Sequence, residues 1–169
     1  MNYHMKIKPL SYLTNLNINR IITVTLTVLA TTWSLWLKHF FYNNSRWLNF
    51  AWLQPALNNG ISYSIAINIG LVILVSLVCL LWIMRMYVHW KINGLIFILI
   101  MSGWLSNFID RVIYGGVRDW IYLGHVIPIF NFIFNIADVF LILWWILLIY
   151  HYNQIDVTTQ DPDDESNLL

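Results

Sequence analysis

Only three acidic side chains occur in the first 155 residues, Asp110, Asp119 and Asp138, and all three stand among long apolar segments. An Asp at the centre of a membrane helix costs roughly 2.5 to 3.5 kcal/mol on insertion scales, so an ionisable group at that depth is first read as a functional site. Asn107, Asp110 and Arg111 fall at i, i+3 and i+4, a spacing that puts an amide, a carboxylate and a guanidinium on one helix face. Gly115-Gly116 ends that helix, and Val117-Arg118-Asp119-Trp120 reads as a short extended or re-entrant piece. Phe134-Asn135-Ile136-Ala137-Asp138 again sets an amide and a carboxylate three apart. Two carboxylates brought together cannot both ionise, so one activates a water while the other donates a hydrogen bond to a scissile carbonyl. This is aspartic-protease chemistry, and it requires neither metal nor cofactor. Spacing alone does not select which two of the three acids form the pair.

Each residue also has a plainer reading. Asp110 could be a helix cap or form a buried ion pair with Arg111, its neighbour in sequence. Asp119 reads by itself as a loop aspartate in water. Asp138 is harder to explain this way, because no basic residue lies within one helical turn of it. Asn107 and Asn135 could simply bridge helices, and Arg111 suits a structural role through its planar fork. The histidines have no metal-ligand spacing, and no Gly-x-Ser-x-Gly elbow is present.

These residues need an apolar scaffold, and the composition supplies one. The chain has 169 residues, 59% of them hydrophobic and 10% charged, against about 25% charged in soluble domains. The expected class is an all-α integral membrane protein. Four segments suffice to cross about 30 Å of hydrocarbon: 21–41, 62–84, 94–113 and 132–150. The first reads as a retained anchor, since no small-residue cleavage site follows it. Ten Trp and nine Tyr fit interfacial belts, and the lone Cys79 reads as a buried small hydrophobe. Counting Lys and Arg near the span ends favours both termini in the cytoplasm, with Lys38, Arg46, Arg111 and Arg118 outside. The outer loops are then 42–61 and 114–131. A single membrane domain covers 1–155, and the remaining five acids fall in an acidic, disordered cytoplasmic tail, 156–169. The net charge of +1 gives no reason to expect nucleic acid as a partner.

Taken together, Asn107-x-x-Asp110-Arg111, Val117-x-Asp119-Trp120 and Phe134-Asn135-x-Ala137-Asp138 resemble the N-x-x-D-R, V-x-D-F and F-N-x-A-D pattern of lipoprotein signal peptidases, also called signal peptidase II. Asn58-Asn59-Gly60-Ile61-Ser62-Tyr63-Ser64 is similar to that family's N-x-G-x-A-F-[GS] box, and the likeness runs through all four expected spans. The resemblance implies a monomeric four-helix aspartic endopeptidase of the bacterial inner membrane. It would remove the signal peptide from a prolipoprotein by cleaving before a diacylglyceryl-modified cysteine, with membrane lipid as its surroundings. It also implies a small extracytoplasmic β-cradle in the first outer loop. Asp119 and Asp138 match the catalytic pair. Asn107, Arg111 and Asn135 match residues lining the site, Asp110 a supporting acid, and Asn58 and Gly60 the loop box. The family's first-span L-D-Q-x-[ST]-K box aligns with Leu29-Ala30-Thr31-Thr32-Trp33-Ser34, which places Ala30 at the acid and leaves the lysine absent. Ser106 stands for the glycine before Asn107, and Trp120 for Phe. Such departures admit a non-catalytic lipopeptide-binding paralogue as the alternative. A proton relay or small transporter ranks behind both, because the acids gather near one face.

Overall fold

The computed structural model describes residues 10–48, 50–59, 68–89 and 92–159. Four helices and three short strands run in the order α1 (Leu10–Leu48), β1 (Leu53–Asn58), α2 (Ile69–Val88), α3 (Gly94–Tyr114), β2 (Val117–Tyr122), β3 (Ile133–Phe134) and α4 (Ile136–Thr159). A one-turn 3-10 helix, Pro128–Phe130, lies between β2 and β3.

The first helix is apolar outside and polar inside. On α1, Thr23, Thr27, Thr31, Ser34 and Lys38 are all buried, while Ile22, Leu29, Trp33 and Trp36 are exposed. Steps of four, four, three and four residues keep the buried set on one face. That face packs on α3. The threonine hydroxyls are satisfied locally: Thr27 Oγ1 donates to the Thr23 carbonyl and Thr31 Oγ1 to the Thr27 carbonyl, each at 2.8 Å. Short side chains of this kind let helices approach closely in lipid, where no hydrophobic force drives them together.

Caps set the helix ends. Asn68 Oδ1 accepts from Gly70 N at 2.9 Å, and Asn93 Oδ1 from Ile96 N at 2.9 Å. α3 stops at Gly115, whose φ of 71° is the left-handed conformation that favours glycine. An apolar core joins Leu80, Ile83 and Tyr87 of α2 to Ile96, Phe97, Ile100 and Met101 of α3. Where α3 passes the start of α4, a Cβ on Gly103 would lie 2.7 Å from the Ala137 carbonyl oxygen. Only glycine permits that approach.

Among the described residues, three helical stretches are long and apolar enough to cross a membrane: Asn17–Ser45, Ile69–Val88 and Gly94–Tyr114. The third expected span is thus found with one residue added. The first extends beyond 21–41 at both ends. The second begins at Ile69 rather than 62 and ends at Val88; residues 60–67 lie outside the described residues. The fourth starts at Ile136 rather than 132, because Ile133 and Phe134 pair as a strand. Its apolar stretch, Ile136–Tyr150, is shorter than the other three, although the helix continues to Thr159. The end of the acidic tail, residues 160–169, is outside the described residues. Cys79 is half-buried, not enclosed.

The strands form one antiparallel sheet, ordered β1-β2-β3. Asn58 pairs with Val117, Leu57 with Arg118 and Ala56 with Asp119, and the register shifts between Leu53 and Ala56. Pro55 falls at that shift, on an edge strand, where its missing N–H is tolerated. The segment after Gly115-Gly116 is therefore a β-strand.

Candidate active site

Residues 117–122 alternate sides, as a strand must. Val117 and Asp119 line a cavity of about 600 Å³, together with Asn58, Asn107, Arg111, Asp138 and the apolar Phe132, Ile133, Phe134, Leu141 and Ile142. Arg118 and Trp120 point the other way and are also buried. Trp120 stacks on Phe41 of α1 at 4.3 Å between ring centroids.

Asp138 reaches the cavity through the cap of its own helix. Asn135 Oδ1 accepts from Ala137 N at 2.8 Å, and Asp138 Oδ2 accepts from Asn135 N at 2.9 Å. This is a capping box built from Asn and Asp, so the three-residue spacing of F-N-x-A-D is that of a helix's first turn. The cap also orients the amide. With Oδ1 committed to Ala137, Asn135 Nδ2 faces inward and donates to Asp119 Oδ1 at 2.7 Å.

Asn107 is oriented by a cation. Lys38 Nζ, with no exposed side-chain surface, donates to Asn107 Oδ1 at 2.7 Å. An ammonium can only donate, so the amide must present its oxygen to Lys38 and its nitrogen to the other side. There Asn107 Nδ2 donates to Asp138 Oδ1 at 2.9 Å, while Asn135 Nδ2 also reaches Asn107 Oδ1 at 3.3 Å. Asn58 Nδ2 completes the set by donating to Asp119 Oδ2 at 3.2 Å. Two carboxylates, from β2 and α4, are thus joined by two amides whose orientations are fixed from behind. Burial, and then the Asp138 charge, push the Asp119 carboxyl up to about 7 against the opposing bonds from Asn135 and Asn58.

Of the residues singled out in the sequence, Asn58, Asn107, Asp119, Asn135 and Asp138 meet here. Arg111 lines the same cavity and donates to the Asn107 carbonyl at 3.3 Å. Gly60 lies outside the described residues. Two of the plainer readings are overturned. Asp119 is 3% exposed, not a solvated loop residue. Asp110 pairs with Arg118 at 2.7 Å and Lys38 at 3.3 Å instead of with Arg111, because consecutive helix residues point about 100° apart.

The first-span alignment also needs correction. The lysine of the box is not absent: Lys38, expected among the outer loop charges, is buried in the site. Counting back four residues from Lys38 puts Ser34, not Ala30, where the family has its acid. Ser34 Oγ lies 2.9 Å from Ser106 Oγ, and both residues are fully buried. Two departures from the family pattern, Ser for Asp and Ser for Gly, are therefore one compensated contact. Lys38, Ser34, Ser106 and Arg118 were missed as site residues. The four-residue interval from Ser34 to Lys38, continuing the threonine face, was the available signal.

Known proteins resemble this chain in sequence and in fold. The family model described as signal peptidase (SPase) II matches residues 11–154. A lipoprotein signal peptidase of Mesorhizobium japonicum is 32% identical over 138 residues, covering 74% of this chain and 81% of the relative. Its counterpart in Streptococcus pneumoniae is 34% identical over 109 residues, covering 60% and 67%. A solved bacterial membrane enzyme superposes with a TM-score of 0.68 at 20% identity, covering 84% of this chain and 93% of that one, a likeness of fold. With the match taking in all or most of every described helix and strand, the chain belongs to the signal peptidase II family.

Proposed function

We propose that this protein is an aspartic endopeptidase of the bacterial inner membrane that removes the signal peptide of prolipoproteins before a diacylglyceryl-modified cysteine. The carrying observation is the pair Asp119 and Asp138, joined through Asn107 and Asn135 at the wall of one cavity. Asp119 carries the shared proton, a role supported by its raised pKa. Asp138 is the base. A water between them loses a proton to Asp138 as its oxygen attacks the scissile carbonyl, and Asp119 protonates the carbonyl oxygen. The resulting gem-diol collapses when the proton held on Asp138 passes to the departing amine and the other hydroxyl returns its proton to Asp119. The pair then has its starting protonation.

The remaining features of the reading concern placement. α4 is the fourth crossing, packed along α3 at Gly103, and both termini face the cytoplasm. The sheet lies at the outer surface. Phe132, Phe134, Leu141 and Ile142 offer an apolar wall to a signal helix and acyl chains that are already dissolved in the bilayer. The enzyme acts as a monomer.

Purified protein in detergent or lipid should cleave a synthetic diacylglyceryl-cysteine lipopeptide and leave the unlipidated peptide intact. Asp119→Asn and Asp138→Asn should each lower turnover by at least a thousandfold, about 4 kcal/mol of barrier, while the protein stays folded. Turnover surviving in either variant would refute the catalytic pair. Binding without turnover in the unaltered protein would identify a non-cutting relative.

A further inference from the structure

Asp119 is held on a weak platform. β2 pairs on one side with an edge strand whose register breaks, and on the other with the two-residue β3. Strands this short and few do not make a rigid sheet unless something anchors them. The anchor in this chain is the residue next to Asp119. Arg118 points to the opposite side of β2, where its Nε and Nη2 donate to Asp110 Oδ1 at 3.2 and 2.7 Å. Its backbone N–H donates to Asp110 Oδ2 at 3.0 Å. One residue thus makes three bonds to one fully buried carboxylate, and Leu57 holds it from the β1 side. The guanidinium also lies 4.1 Å from the ring centroid of Tyr114, at the end of α3.

Asp110 lies one helical turn after Asn107, the amide that bonds Asp138. The path from Asp119 through Arg118 and Asp110 to Asn107 therefore ties the β2 carboxylate to the helix that orients the α4 carboxylate. Lys38 strengthens the same joint, bonding both Asp110 and Asn107.

We propose that Arg118 is a positioning residue for the peptidase reaction: its fork and backbone N–H clamp β2 to Asp110 and so set the distance of Asp119 from Asp138. This rests on the assignment of Asp119 and Asp138 as the catalytic pair. Displacing a reacting group by about 1 Å costs up to a hundredfold in rate, so the clamp acts on turnover rather than on substrate binding.

The test compares R118M and R118K with the unaltered protein on the diacylglyceryl-cysteine lipopeptide, with melting temperature measured in the same detergent and D119N and D138N assayed in parallel. R118M should lower kcat by about tenfold or more, within the range for a misplaced group, with KM changed less than twofold. R118K, which keeps a cation able to reach one Asp110 oxygen, should melt like the unaltered protein and recover part of kcat, still with KM unchanged. Unaltered kcat in R118M, or a loss confined to KM, overturns the proposal. If R118M does not fold, R118K decides: a full kcat there would leave Arg118 a purely structural role and also overturn it. Activity in D119N or D138N would instead refute the catalytic pair, whatever the Arg118 variants do.

Discussion

Three amide side chains around the two carboxylates differ in what fixes them, and that difference governs what their loss would do. Asn107 is aimed by Lys38 and Asn135 by the cap of α4, whereas Asn58 reaches the pair from β1, donating to Asp119 Oδ2. The proposed mechanism needs one proton on the pair, so kcat/KM should fall as pH rises through about 7, where Asp119 loses it. The Asn58 amide favours the ionised carboxylate, and removing it makes the proton harder to lose. Asn58→Ala should therefore move the alkaline limb to higher pH by up to about one unit, the equivalent of one hydrogen bond to a charged group. A pH series of kcat/KM checks the sign, and a limb that stays put or moves down contradicts it. At this scale the sequence was informative about identity. Asp138 was legible as an acid with no plainer reason to be among apolar residues, Asp119, Asn107 and Asn135 through their spacing, and Asn58 only through the family resemblance. Their partners were not, since Lys38 and Arg118 read equally well as interfacial cations until the fold enclosed them.

Among the elements, α1 carries the contact most specific to this chain. Ser34 and Ser106 satisfy each other in a buried interface between α1 and α3. Ser34→Ala strands the Ser106 hydroxyl and should destabilise the protein by about 1 to 3 kcal/mol, the usual cost of an unpaired buried polar group. Ser34→Ala with Ser106→Ala removes both hydroxyls and should be less destabilised than the sum of the two single changes. A double-mutant cycle on thermal unfolding measures that coupling, and strict additivity would show that the pair contributes nothing. The existence of α1, α2 and α3 followed from apolar length, and α3 was placed to within one residue. The start of α4 was not. The segment Asn131-Phe132-Ile133-Phe134-Asn135 is apolar enough at its centre to extend a helix. Ile133 and Phe134 are instead claimed by Tyr122 and Ile121 across the sheet, and Asn135 caps α4.

In the whole molecule, the site is closed by the approach of α3 to α4 under the sheet. Gly103 sets that approach, because a Cβ there would lie only 2.7 Å from the Ala137 carbonyl oxygen. Gly103→Ala must push the two helices apart just below Asn107 and Asp138. It should lower kcat by at least about tenfold, as a small misplacement of reacting groups does, even if the protein still melts cooperatively. Full activity in that variant would show that the helices can shift without disturbing the pair. The sequence by itself determined the class of molecule, the existence of three apolar helices and the set of side chains too polar for their surroundings. It could do so because water-to-lipid transfer and helix length are local properties, summed along the chain. The tertiary structure alone decided that Asp110 is bound by Arg118 and Lys38, that Asp119 stands on a strand, and that Ser34 meets Ser106. Those are contacts between segments far apart in the chain or on different elements, and their energy exists only once the helices and the sheet have packed.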